Sequence, residues 1–222
     1  MDVIMEPVVD VDYPGASADG YSARTLAEYI LSIPDIQLVT FEPYGHMGAT
    51  LVDAVFQAGI NYRFSVIPRV RNLQHQYPNA TTTSAFARVL AQSDPHGLLD
   101  WRGERKITTL LTLTELLVDE GVETEDDLLA FLDRPGSREL VTAIRGIADK
   151  TFQYLRFLAG AEDAVAVDRH MWRTLKAAGV LTSSFDEARG LYVRAAALLG
   201  VTPAVLEYSV FLWGSSGGRK RR

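Results

Sequence analysis

The recurrence of apolar residues limits this chain's fold more than any other feature. From residue 47 onward they return at three- and four-residue spacings, and the stripes are broken by helix-start and helix-stop residues rather than by the turns that separate alternating strands. Met47, Leu51, Val52, Val55 and Phe56 form one face of residues 46–59, and Ile107, Leu110, Leu111, Leu113, Leu117 and Val118 form the face of the longest buried stretch, 104–120. Thr124 with Asp127 and Ser184 with Glu187 read as capping boxes, and Thr202-Pro203 places proline in a first turn. Further helices are predicted over 22–32 (capped by Ser22, stopped by Pro34), 61–76 (bent at Pro68), 83–92, 150–159 and 168–178, with Ser137 capping the one before them. No repeat or strand-rich block interrupts this pattern, which predicts an all-α protein of about ten helices.

A chain of 222 residues that is 47% hydrophobic can bury a full core. It has no cysteine, which excludes disulfides, thiol catalysis and cysteine-ligated clusters. No apolar run reaches the roughly 18 residues that span a bilayer, and no basic n-region precedes an apolar one at the start, so the expected setting is cytoplasmic, nucleoid-associated if prokaryotic, with no membrane partner. The net charge of −6 is unevenly placed: residues 1–60 hold nine acidic residues and one basic one, which leaves the remainder at +2. Arg63, Arg69, Arg145, Lys150, Arg156, Arg169 and Arg173 are among the basic residues available to one face there. Residues 1–20 read as an irregular lead-in and 214–222 as a flexible basic tail.

The chemistry is concentrated in Ile144-Arg145-Gly146-Ile147-Ala148-Asp149-Lys150-Thr151 and, after one apolar helix, Val165-Ala166-Val167-Asp168-Arg169-His170. A short turn containing glycine aims backbone N–H groups at a phosphate and sets Lys150 at the mouth of a helix; Asp168 opens the next helix, 18 residues on. This arrangement resembles the helix-hairpin-helix (HhH-GPD) DNA glycosylases, most closely an endonuclease III-like branch without the iron–sulfur cluster. In that family the hairpin reads L-P-G-V-G-x-K-T-A and the aspartate lies in V-D-T-H. Here Lys150 and Asp168 keep the register, whereas Arg145 replaces the proline, Ala148 the second glycine and Phe152 the small alanine.

The resemblance, which covers roughly residues 40–215, implies a two-lobed helical fold with the active-site cleft between the lobes. The divisions would be an arm and helix at 1–38 packing on the C-terminal lobe, a six-helix-type lobe at 39–159 ending in the hairpin, a C-terminal lobe at 160–213 and the tail. It implies a base-excision glycosylase with an apurinic/apyrimidinic lyase step: Lys150 the nucleophile, Asp168 the essential carboxylate, and Arg145, Gly146, Ile147, Ala148, Asp149 and Thr151 the DNA-binding hairpin. The family fills the vacated duplex with a glutamine, which by pattern is Gln57; Asn61 and Tyr62 follow as candidates for DNA or pocket contact, and Arg169 and Arg173 for phosphates. The partner would be double-stranded DNA with a damaged or modified base, the protein a monomer, and the only cofactor to consider a monovalent cation at the hairpin. Two other readings stay open: a degenerate member binding DNA or a protein without excising a base, as Ala148 and the acidic Asp149 suggest, and an enzyme acting on a modified or non-DNA nucleobase. His170 shows no metal-ligand spacing with His46, His75 or His96, and packing is its simpler role, as it is for Trp101, Trp172 and Trp213.

Overall fold

The computed structural model describes residues 18–216; the lead-in before residue 18 and the tail beyond residue 216 lie outside the described residues. The fold is all-α, and among the described residues there is no strand. The helices are α1 (Ala18–Ser32), α2 (Met47–Phe56), a π-helical segment (Tyr62–Val66) running into α3 (Ile67–Gln76), α4 (Thr83–Gln92), α5 (Pro95–Leu98), α6 (Glu104–Asp119), α7 (Glu125–Leu132), α8 (Ser137–Thr142), α9 (Asp149–Leu158), α10 (Arg169–Ala177), α11 (Phe185–Leu198) and α12 (Pro203–Ser215). Among these residues no single helix is long and apolar enough to cross a membrane.

Side-chain caps set several of the boundaries. Thr124 and Asp127 form the reciprocal capping box: Thr124 N–H donates to Asp127 Oδ2 at 2.9 Å, and Asp127 N–H donates back to Thr124 Oγ1 at 3.2 Å. At Ser184 only half the box forms, because Ser184 accepts from Glu187 N–H while the Glu187 carboxylate takes Ser183 N–H and the Thr182 hydroxyl. His46 caps α2, its Nδ1 accepting from Ala49 N–H at 3.0 Å, so the ring proton sits on Nε2 and donates to Tyr77 O at 2.9 Å.

Three expectations are corrected here. Ser22 lies inside α1, which starts ahead of it. Ser137 is the first buried residue of α8 rather than its cap: Gly136, at φ +86°, takes that position, and the Ser137 hydroxyl donates to Phe131 O. Residues 61–76 are not one bent helix. Asn61 caps a wide π turn that runs directly into α3, and Pro68, with no N–H to lose, sits in the first turn of α3.

The apolar stripes close into two separate cores. One gathers Phe56, Phe86, Leu110, Leu113, Leu117 and Leu155 from α2 through α9. The other gathers Leu26 and Ile30 of α1 with Met171, Leu191, Tyr192, Leu206 and Val210 of α10–α12. The chain crosses between them in one step, since Ala164 belongs to the first core and Val165 to the second. At the junction α12 reaches both cores: Leu206 and Val210 belong to the second, while Tyr208 packs on the first, where the Phe41 ring lies 5.5 Å from it and 4.8 Å from Phe157.

Candidate functional site

A cavity of about 460 Å³ opens at this junction. Gln57 enters it from the end of α2, Asn61, Tyr62 and Arg63 from the π segment, and Lys150 and Tyr154 from α9. The opposite wall is Asp168, Arg169, His170 and Trp172 of α10, Phe185, and Glu207, Tyr208 and Phe211 of α12. Lys150, Asp168, Gln57, Asn61, Tyr62 and Arg169 therefore share one space, although they come from four stretches of sequence. Arg173 is exposed on α10 and does not line the cavity. In the hairpin Arg145, Gly146 and Ala148 face solvent, but Ile147 and Thr151 are buried, so these two hold the turn rather than meet a ligand. Of the expected basic face, Arg69 is spent on Ser65 O, Leu99 O and Asp100, and Arg156 on Asp133 and Asp163.

Lys150 stands in the first turn of α9, and its Nζ donates to Gln57 Oε1 at 2.7 Å. Burial pushes its pKa down, while Asp168 and Glu207 pull it partly back up. The result is an amine more easily deprotonated than an ordinary lysine, as a nucleophile must be. Asp168 caps α10, its Oδ1 accepting from His170 N–H at 2.7 Å and Met171 N–H at 3.0 Å, which fixes the carboxylate at a helix N-terminus in the cavity wall. His170 lines the cavity but is buried, with its ring edge-on to Phe211 at 5.9 Å, and burial pushes its pKa down.

The turn before Lys150 is held from below. Thr109 Oγ1 donates to Arg145 O at 2.7 Å, and Gly146 passes directly over it at φ +105°, where a Cβ would meet that oxygen at 2.6 Å. Gly146→Ala should therefore cost about 2 kcal/mol, from the left-handed backbone and the displaced Thr109 bond, and weaken any ligand gripped by the hairpin. A thermal melt reads the first effect and a binding titration the second. Ala148 caps α9 without a side-chain bond and its carbonyl takes Thr151 N–H at 2.9 Å, which leaves the Asp149 and Lys150 N–H groups for another acceptor, while the Asp149 side chain pairs with Arg138 at 2.8 Å. A monovalent cation at the hairpin would bind backbone carbonyls; of these, Ile144 O accepts from Ile147 N–H and Arg145 O from Thr109, each with a second lone pair remaining. Among the described residues no group of three or more His, Asp or Glu could hold a metal.

Three residues near the site were not singled out from the sequence. Asp53 is fully buried and accepts three phenol hydroxyls, from Tyr44 at 2.7 Å, Tyr62 at 2.9 Å and Tyr154 at 3.2 Å. Burial raises its pKa to about 6 against the lowering effect of those bonds. Because the Tyr62 hydroxyl is engaged there, it is the ring that Tyr62 offers the cavity. Lys106 donates to Val55 O, Phe56 O and Ala58 O at 2.9, 3.3 and 2.9 Å, closing the C-terminus of α2 just where Gln57 leaves it. Burial, then Arg105 and Lys150, lower its pKa to about 8, but all three of its N–H donors are committed. Glu207 is buried in the cavity wall, and Ala166 N–H donates to its Oε2 at 3.0 Å.

A family described as Domain of unknown function (DUF8548) has a sequence model that matches residues 35–215. No curated protein and no solved structure matches the chain.

Proposed function

Because the chain belongs to the DUF8548 family, whose description assigns no activity, we propose a function from the cavity itself: a base-excision DNA glycosylase of helix-hairpin-helix type, with a lyase step through a Schiff base. The observation that carries this reading is that Lys150 and Asp168 line one cavity of about 460 Å³, which has an aromatic wall of Trp172, Tyr208 and Phe211. Supporting it are two cores with the cavity at their junction, as a two-lobed HhH-GPD fold would have, and a glycine turn ahead of the lysine-bearing helix.

An N-glycosidic bond is out of reach inside a duplex, so the nucleotide must be extruded into a pocket, here between the rings. The uncapped start of α9 and Gly146 hold the backbone phosphate, with Arg63 and Arg169 exposed at the cavity. Asp168 stabilises positive charge on the sugar as the bond breaks. The free amine of Lys150 bonds to C1′; the C1′–O4′ bond then opens, O4′ taking the proton that the nitrogen gives up, and the resulting Schiff base acidifies the neighbouring C–H for β-elimination. Borohydride reduction of a mixture with an abasic duplex tests the reading: a covalent protein–DNA adduct is expected, and no adduct together with no salt-sensitive DNA binding would sink it.

A second reading, a protein that binds DNA or a partner without excision, is favoured by Asp149, whose pairing with Arg138 places a carboxylate where a phosphate would approach. Salt-sensitive duplex binding without an adduct would select it.

A further inference from the structure

The chemistry above leaves unused the second carboxyl of the cavity wall, Glu207. It is the one charged residue of α12, is 6% exposed, and lines the same space as Lys150 and Asp168. Ala166 N–H binds one carboxyl oxygen and so anchors it, and among the described residues no cation pairs with the group. The titratable groups facing it are Lys150 from α9, Asp168 at the start of α10 and Tyr192 from α11. Burial dominates this set and raises Glu207 to about 8, with Asp168 adding to the rise and Ala166 N–H and Lys150 opposing it. A carboxyl that still holds its proton at neutral pH, beside a carboxylate on a helix N-terminus, is how one site separates an acid from a charge stabiliser.

We propose that Glu207 is the acid that protonates the departing base, an assignment that rests on the glycosylase reading above. The Lys150 amine forms its bond to C1′ as the C1′–N bond breaks, and the electron pair of that bond goes to the base. Glu207 gives its proton to the base, which leaves neutral. The new C–N nitrogen carries one proton too many and returns it to the Glu207 carboxylate, so the acid is restored and no other reactant is consumed. The oxygen bound by Ala166 N–H stays an acceptor throughout, which leaves the other oxygen to carry the proton.

Glu207→Gln keeps an acceptor for Ala166 N–H and nearly the same volume, so it isolates the proton. The full-length protein and this variant would be compared on duplexes carrying uracil, thymine glycol or 8-oxoguanine, and on a duplex with a preformed abasic site. The expected result is that excision falls roughly 10²- to 10⁴-fold while borohydride trapping on the abasic duplex, where no base leaves, is largely kept. Wild-type excision should also decline on the alkaline side of about pH 8, a limb absent from the variant's residual rate. A difference infrared spectrum at pH 7 should show a protonated-carboxyl band that the variant lacks. Undiminished excision, excision and trapping that fall together, a missing band, or a wild type that traps abasic DNA yet excises no base would each overturn the assignment. A wild type with neither trapping nor salt-sensitive binding sinks the glycosylase reading itself.

Discussion

Lys150→Met should leave the protein folded and reduce borohydride trapping on abasic DNA to background, a loss on the order of 10⁴-fold or more for removal of a nucleophile. Methionine fills the channel of the lysine stem, and the local cost is the Gln57 Oε1 left without its donor, about 1–3 kcal/mol if water does not replace it. The competing amine is Lys106, whose pKa is also lowered, to about 8. Its Nζ, however, already serves three carbonyls at the end of α2, and freeing it would unpair all three. Lys106→Met should therefore melt at lower temperature yet still trap DNA at high occupancy. An adduct that survives Lys150→Met and disappears only when Lys106 is also replaced would assign the nucleophile to Lys106 instead.

Much of this architecture was legible because helix caps and stripes are local signals. Thr124 with Asp127, Asp168 and Thr202-Pro203 each start the helix that their chemistry predicts, whereas Met47 through Phe56 is buried on every side and not only along its apolar stripe. At two misread positions a nonlocal contact outbids a local rule: Ser137 turns inward to Phe131 O, and Tyr62 takes a π turn that lets its hydroxyl reach Asp53. That Lys150 and Asp168 share a cavity could be anticipated from their register, but Gln57 as the partner of Lys150 could not, since 93 residues separate them. Asp53 and Glu207 did leave a trace. Each is the single charged residue of an otherwise apolar helix, α2 and α12, and a carboxyl buried in such a helix must find donors or keep its proton. Asp53 finds three phenols; Glu207 finds one amide N–H and relies on its proton for the rest.

Those two carboxyls also make stability fall as pH rises, the reverse of what paired surface carboxylates do. An unfolded aspartate releases its proton near its ordinary 3.8, whereas native Asp53 keeps it to about 6; the corresponding values for Glu207 are 4.5 and about 8. Between each pair of values the native state holds a proton that the unfolded chain has lost, so each contribution is complete below the ordinary value and is lost as pH climbs to the native one. At 1.36 kcal/mol per unit the losses are about 3 kcal/mol for Asp53 and about 5 kcal/mol for Glu207, large beside the 5–15 kcal/mol that typically holds a domain together. Burial also lowers His170, Lys106 and Lys150, which restores stability as pH rises toward their ordinary values, so the wild-type curve alone does not isolate the carboxyls. Urea unfolding at a series of pH values, wild type against Asp53→Asn and Glu207→Gln, separates them. The Asp53→Asn difference should develop between about pH 4 and 6, and the Glu207→Gln difference between about 4.5 and 8, each variant gaining on the wild type as pH increases. A wild type that instead gains on Glu207→Gln over that range would mean the carboxylate is stabilised when charged, and Glu207 would then have no proton to give at neutral pH.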